Sequence, residues 1–208
     1  MAQSTLKLYS DYKSPYAYLA KDLNYDLERA TGISVEWLPY TLDIPAYLGT
    51  AEVDAAGRVL VQDRNAHQWR RVKYSYMDCR REANRRGLTI RAPHKIFDSS
   101  LANIGLIYAK QEGVFRSYND RVFERFWKRE LDIEDVAALT RVLEECGLDG
   151  NGFAAYAHGE GRAQLQQIQR EAETAGVFGV PSYLLGNGDL YWGREHVPRI
   201  RELLSLAS

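Results

Sequence analysis

The chain of 208 residues is poor in the groups that announce a redox or metal centre. Its two cysteines, Cys79 and Cys146, stand too far apart for a Cys-x-x-Cys motif, and each falls in a helical pattern, so both read as buried, inert thiols. Four histidines, His67, His94, His158 and His196, are scattered without metal-ligand spacing, so no metal site is expected. An excess of charge is also missing: 27 basic and 28 acidic residues leave a formal net charge of −1, with no pull towards nucleic acid or a membrane surface. No run approaches the roughly 20 apolar residues of a transmembrane helix, and no early segment joins a basic stretch to an apolar one. A soluble, cytoplasmic protein is the resulting expectation. There is no internal repeat or low-complexity linker.

What is present is concentrated near the two ends. The segment Tyr9-Ser10-Asp11-Tyr12-Lys13-Ser14-Pro15-Tyr16-Ala17-Tyr18-Leu19-Ala20 begins as a strand and turns abruptly into a helix. A helix start leaves about four backbone N–H groups without intrahelical partners and carries positive partial charge, so it stabilises a thiolate or another anion. Ser14 sits where that field is strongest, and Pro15 suits the first helical position. The alternative reading of Ser14 is an ordinary N-cap. Near the other end, Phe178-Gly179-Val180-Pro181-Ser182-Tyr183-Leu184-Leu185 reads as a turn feeding a buried strand, with Pro181 at the strand start. Gly186-Asn187-Gly188-Asp189 is a hairpin signal, and Leu190-Tyr191-Trp192 leads to a last helix from about Glu195. Strand, helix, strand, then hairpin and helix is the order of an α/β thioredoxin-like fold.

Between these parts the pattern turns helical. Residues 61–86 carry Trp69, Val72, Tyr76, Cys79 and Ala83 at three- and four-residue steps and end at Gly87. Further helices are predicted over residues 101–111, 118–130, 133–146 and 161–175, with Gly113, Gly147 and Gly176 marking ends. The expected organisation is a thioredoxin-like domain of residues 1–42 and 176–208 interrupted by an all-helical insertion of residues 43–175, with a ligand cleft at their junction. Arg64, Arg70, Arg71, Lys73, Arg80, Arg81, Arg85 and Arg86 read as a solvated helix face from which one or two arginines turn to the cleft. Tyr12, Tyr16, Tyr40 and Tyr108 are candidates for an aromatic pocket, although core packing with a hydrogen-bonded hydroxyl is the commoner role.

The pair Ser14-Pro15-Tyr16-Ala17-Tyr18-Leu19-Ala20 and residues 177–195 resembles the 2-hydroxychromene-2-carboxylate isomerases, relatives of kappa-class glutathione transferases and DsbA-type proteins. Ser14 and Ala17 occupy the two cysteine positions of the redox relatives, which excludes disulfide exchange there. The resemblance implies glutathione as cofactor, its thiolate near Ser14 and the residue before a cis-proline pairing with its backbone; Val180 and Pro181 match those positions. Trp192-Gly193-Arg194-Glu195 matches the segment that receives the γ-glutamyl end, with Arg194 replacing a short polar residue and Glu195 lengthening the acid. Asn65 matches a substrate-side asparagine. Ala66 stands where the isomerase pattern has an arginine, and no lysine lies in residues 41–51 where that pattern places one.

The function implied is glutathione-dependent isomerisation of a small unsaturated hydroxy acid in aromatic degradation, with the cofactor returned unchanged and Ser14 tuning the thiolate by a hydrogen bond. A kappa-like transferase or peroxidase using the same site, or a binding protein without turnover, are the alternatives. Kappa-like relatives imply a homodimer, but no uninterrupted apolar face in the sequence identifies an interface.

Overall fold

In a computed structural model the described residues are 6–54 and 56–206. Four strands form the main sheet: β1 (Leu6–Ser10), β2 (Val35–Pro39), β5 (Ser182–Leu185) and β6 (Leu190–Trp192), in the order β2-β1-β5-β6. β1 runs parallel to β2 and antiparallel to β5, with Leu8 opposite Trp37 on one side and Tyr183 on the other. The β5–β6 hairpin closes through the expected Gly-Asn-Gly-Asp turn, where the Asn187 side chain accepts the Asp189 N–H at 3.0 Å.

Helix α1 (Pro15–Thr31) starts at Ser14 and stops at Gly32, whose φ of 68° lies in the left-handed region. Helix α9 (Val197–Leu206) packs against α1 and ends the described chain. Leu6, Leu8, Val35, Trp37, Tyr183 and Leu185 point from the sheet into one apolar cluster that includes Ile200 and Leu204 of α9. Tyr9 points to the opposite face and joins a larger cluster, because alternate strand residues face opposite sides. The expected domain limits at residues 1 and 208 fall outside the described residues.

The larger cluster is built by the helices that interrupt the thioredoxin-like order: α3 (Ala66–Arg85), α4 (Ser100–Gln111), α5 (Phe115–Lys128), α6 (Val136–Glu145), α7 (Phe153–His158) and α8 (Glu160–Thr174). Gly113, Gly147 and Gly176 follow α4, α6 and α8 with positive φ, as predicted. Cys79 lies on α3 with no exposure, whereas Cys146 is a half-buried C-cap of α6 rather than a core thiol.

The expectation of an all-helical insertion needs correction. After a short helix α2 (Ile44–Leu48), strands β3 (Ala51–Val53) and β4 (Val59–Gln62) pair antiparallel, with Ala51 opposite Gln62 and Val53 opposite Val59. The β-branched Val59 and Val61 favour extended backbone over the first turn of a helix. The helix predicted from residue 61 instead begins at Ala66, capped by Asn65 in reciprocal bonds with Gln68.

Helices α4 and α5 approach closely at Gly105. A Cβ there would lie 2.6 Å from Cζ of Tyr118 and nearer still to its hydroxyl, which donates to the Ala102 carbonyl at 3.0 Å. Tyr118 is fully buried and cannot swing away. Gly105→Ala is therefore expected to destabilise the protein by about 1–3 kcal/mol, the usual range for overpacking. Tyr118→Phe in the same chain should recover part of that loss. Urea denaturation of the two single variants and the double variant measures both, and additive losses would place the strain elsewhere.

Candidate active site

Asp11, Tyr12, Lys13 and Ser14 connect β1 to α1, and all four are buried, Ser14 to 4% exposure. The Ser14 hydroxyl oxygen accepts the Ala17 N–H at 3.2 Å, so the N-cap reading is realised. The same hydroxyl lies 3.5 Å from the Val180 carbonyl, at the long limit for an O–H donor. Its hydrogen is thus weakly held and can serve another acceptor. Pro15 carries no N–H, and among the described residues the Tyr16 N–H meets no acceptor. One backbone donor and one hydroxyl donor remain at the positive end of α1.

The Val180–Pro181 bond is cis, as the resemblance implies. Val180 belongs to neither strand ladder of β5. Its carbonyl faces the Ser14 hydroxyl at 3.5 Å, which brings the two matched positions together. The Pro181 carbonyl accepts the Gly193 N–H at 2.9 Å, which ties this loop to the 194–196 turn. Gly193 bends the chain with a φ of 109°, and α9 begins at Val197 instead of at Glu195. Trp192 stays 51% exposed, its ring 5.0 Å from the exposed Phe178 and its indole edge against Gly179, where a Cβ would come within 2.7 Å of Nε1.

The half-buried Arg194 lays its guanidinium 5.5 Å above the Tyr16 ring. It has no carboxylate within ion-pair distance among the described residues. Glu195 is exposed, with its carboxylate folded against Gly193. The Tyr16 side chain also meets Ser75 and Cys79 of α3. Burial pushes the Cys79 thiol up to about 11, although Tyr16 and Arg194 pull the other way.

Asn65 does not join this group. It is exposed, and its Oδ1 accepts the His67 and Gln68 N–H groups at 2.9 and 3.0 Å, so its acceptor is committed to the cap. Of the basic stretch, Arg71 is exposed on α3 and its charge lowers the Tyr47 pKa that burial raises. Arg86 instead spans to the Leu19 carbonyl and Asp22. Tyr12, Tyr40 and Tyr108 pack in or against the core, leaving Tyr16 as the tyrosine beside Ser14 and Arg194. Contrary to expectation, the buried Tyr12 hydroxyl has no hydrogen-bond partner among the described residues.

Asp11 and Lys13 were not singled out in the sequence. The Asp11 carboxylate accepts the Leu42 N–H at 2.8 Å, and the Lys13 N–H and the Asn103 amide at 3.4 and 3.5 Å. The Lys13 ammonium lies 3.8 Å away, and both side chains are almost fully buried. The available signal was Asn103, a lone amide in the apolar run Leu101-Ala102-Asn103-Ile104, which needs a buried partner. Among the described residues no group of three or more His, Cys, Asp or Glu could hold a metal, and no helix is long and apolar enough to cross a membrane.

This sheet, with a helix start facing a cis-proline and helices inserted between the two, defines a thioredoxin-type architecture. The chain belongs to the DSBA-like thioredoxin domain family, whose model matches residues 5–205. It is 25% identical over 202 residues to a 2-hydroxychromene-2-carboxylate isomerase of Sphingobium xenophagum, covering 96% of this chain and 97% of that protein. A solved 2-hydroxychromene-2-carboxylate isomerase superposes with a TM-score of 0.74 at 22% identity, over 98% of this chain and 95% of its own. The cytosolic disulfide reductase DsbM from Pseudomonas aeruginosa, solved with GSH, superposes with a TM-score of 0.65 at 18% identity, over 98% of each chain.

Removing one member of a buried ion pair strands the other charge, which typically costs about 3–5 kcal/mol. Asp11→Ala should be destabilised on that scale. Lys13→Met added to Asp11→Ala should regain a clear part of the loss. Guanidinium denaturation of the three variants decides it: no recovery in the double variant would mean that the Leu42 and Asn103 bonds, not Lys13, govern Asp11.

Proposed function

We propose that the protein is a glutathione-dependent isomerase acting on a small unsaturated organic acid, as its 2-hydroxychromene-2-carboxylate isomerase relative does in name. The observation that carries this reading is Ser14: a buried hydroxyl at the start of α1, 3.5 Å from the Val180 carbonyl, with Ala17 in place of a second cysteine. A site of this shape favours a sulfur anion but contains no cysteine of its own at either position of the redox motif.

The residues present fit glutathione on three counts. The Tyr16 N–H and the weakly engaged Ser14 hydroxyl converge at a helix start, where an anion is favoured. Val180 lies outside the ladders beside that start. Arg194 offers a half-buried guanidinium without a carboxylate partner among the described residues, and Glu195 an exposed acid next to it. Arg194 would take a carboxylate of the γ-glutamyl end and Glu195 its ammonium. When bound, glutathione supplies a thiol that ionises to a nucleophile and is recovered after the reaction.

The chain's own contribution is electrostatic. Ser14 donates its hydrogen to the sulfur anion, and the Tyr16 N–H and the field of α1 add to that stabilisation. Among the described residues the Ser14 hydroxyl meets no carboxylate or imidazole: its partners are the Ala17 N–H and the Val180 carbonyl, so it holds its proton and acts as a donor. The GSH present with the DsbM neighbour supports a glutathione site in this fold.

Ser14→Ala should keep the fold, with about 1 kcal/mol lost from the cap. Its glutathione-dependent conversion of 2-hydroxychromene-2-carboxylate should fall about ten- to hundred-fold, the equivalent of one hydrogen bond to a charged group. Wild-type turnover in this variant would reduce Ser14 to a cap. Conjugation of glutathione to an electrophile without isomerisation would move the assignment to a transferase. Calorimetric titration with glutathione should further show Glu195→Gln binding more weakly than Arg194→Ala. Unchanged affinity in Glu195→Gln would mean that the acid does not reach the ammonium.

A further inference from the structure

Six of the eight large apolar side chains left exposed among the described residues lie between Tyr47 and Met77, among them the consecutive Val59, Leu60 and Val61. Beside them, between β4 and the first two turns of α3, runs a cleft of about 520 Å³ lined by Val59, Gln62, Ala66, Trp69, Arg70 and Lys73. That volume falls within the range of small-molecule sites, about 300–1,000 Å³. The Trp69 indole is held as a wall: its N–H donates to Gln62 at 2.5 Å, and the Arg64 guanidinium stands 5.1 Å from its ring.

Arg70 and Lys73 form the charged side of the cleft. Neither has a carboxylate within ion-pair distance among the described residues. Residues 43–86 hold nine basic and six acidic side chains in a chain whose net charge is −1. The cleft is separate from the Ser14 site. Successive residues turn about 100° around a helix, so Ser75, which lies against Tyr16, points some 200° away from Lys73.

We propose that this cleft binds a free amphipathic organic anion, a carboxylate on an aliphatic chain, with the chain against Val59 and Trp69 and the head between Arg70 and Lys73. Apolar walls with two unpaired cations at one side complement that chemistry and no neutral or cationic one. A second copy docked on the same face would bring two net-basic surfaces together, nine basic against six acidic side chains in residues 43–86 of each, which disfavours self-association there.

Titration calorimetry with decanoate on the whole protein tests the site. One saturable event per chain is expected, at least ten-fold weaker in Arg70→Ser/Lys73→Ser and unaltered in Ser14→Ala; decyltrimethylammonium should not compete. Both substituted positions are exposed, and a thermal melt checks that the variant is folded. A fluorescence change on binding that disappears in Trp69→Phe would place the ligand at this wall. Absence of saturable binding, equal binding of the cationic analogue, or unchanged affinity in the double variant overturns the proposal. So does sedimentation showing a dimer that Val59→Asp dissociates, since the face would then be an interface between copies.

Discussion

A carboxylate removed from water must be met by donors or a cation, and Asp11 meets them from three parts of the fold. The Leu42 N–H comes from the chain leaving β2, the Asn103 amide from α4, and the Lys13 ammonium from the loop itself. Asn103 also donates to Thr41 at 2.9 Å, which doubles the tie between α4 and the end of β2. The start of α1 is therefore fixed relative to the sheet and to the inserted helices by one polar cluster. Ser14, three residues on, inherits that placement, as its N–H donates to the Asp11 carbonyl at 3.0 Å.

Aromatic packing extends the same constraint along α1. Tyr12 meets Phe123 at 4.7 Å between ring centres, Tyr18 stacks on Phe123 at 5.5 Å with 19° between planes, and Tyr18 lies parallel to Trp127 at 6.5 Å. Helix α5 thus grips the start of α1 through Tyr12 and Tyr18, beside the donors of Ser14 and Tyr16. Such pairs contribute about 0.5–1.5 kcal/mol each beyond area burial, and their geometric effect matters as much here. A helix start that stabilises an anion does so only if its N–H groups are held in place before the anion arrives.

The main fold was legible because its signals are local. The Ser14-Pro15 start, the Gly-Asn-Gly-Asp hairpin and the glycine stops each act within a few residues. The 51–62 ladder was missed for a related reason: residues 59–62 are all exposed in the folded chain, so they carry no burial pattern to separate them from the helix that follows. Of the candidate site, the meeting of the Ser14 helix start with Val180 and a cis Pro181 was legible, because a motif sets the backbone there. Asp11, Lys13 and the stacking of Arg194 on Tyr16 were not, since each depends on which distant element arrives beside it. Asn65 was drawn to a ligand role by its position in a motif, when three neighbouring atoms already define it as a capping box.

One thiol does lie close to the start of α1, and its state bears on what that helix start is for. Cys79 sits behind Tyr16 with no exposure. Burial holds it up to about 11, which leaves about one molecule in ten thousand as thiolate at neutral pH. Arg194 and Tyr16 both favour its anion, and desolvation still outweighs them. The Ser14 hydroxyl instead faces the Val180 carbonyl at 3.5 Å. A chain that carries serine and alanine at Ser14 and Ala17, and keeps its nearby Cys79 protonated, has donors at the start of α1 with no thiolate of its own beside them among the described residues. On the glutathione reading proposed above, the nucleophile would be brought in by the ligand.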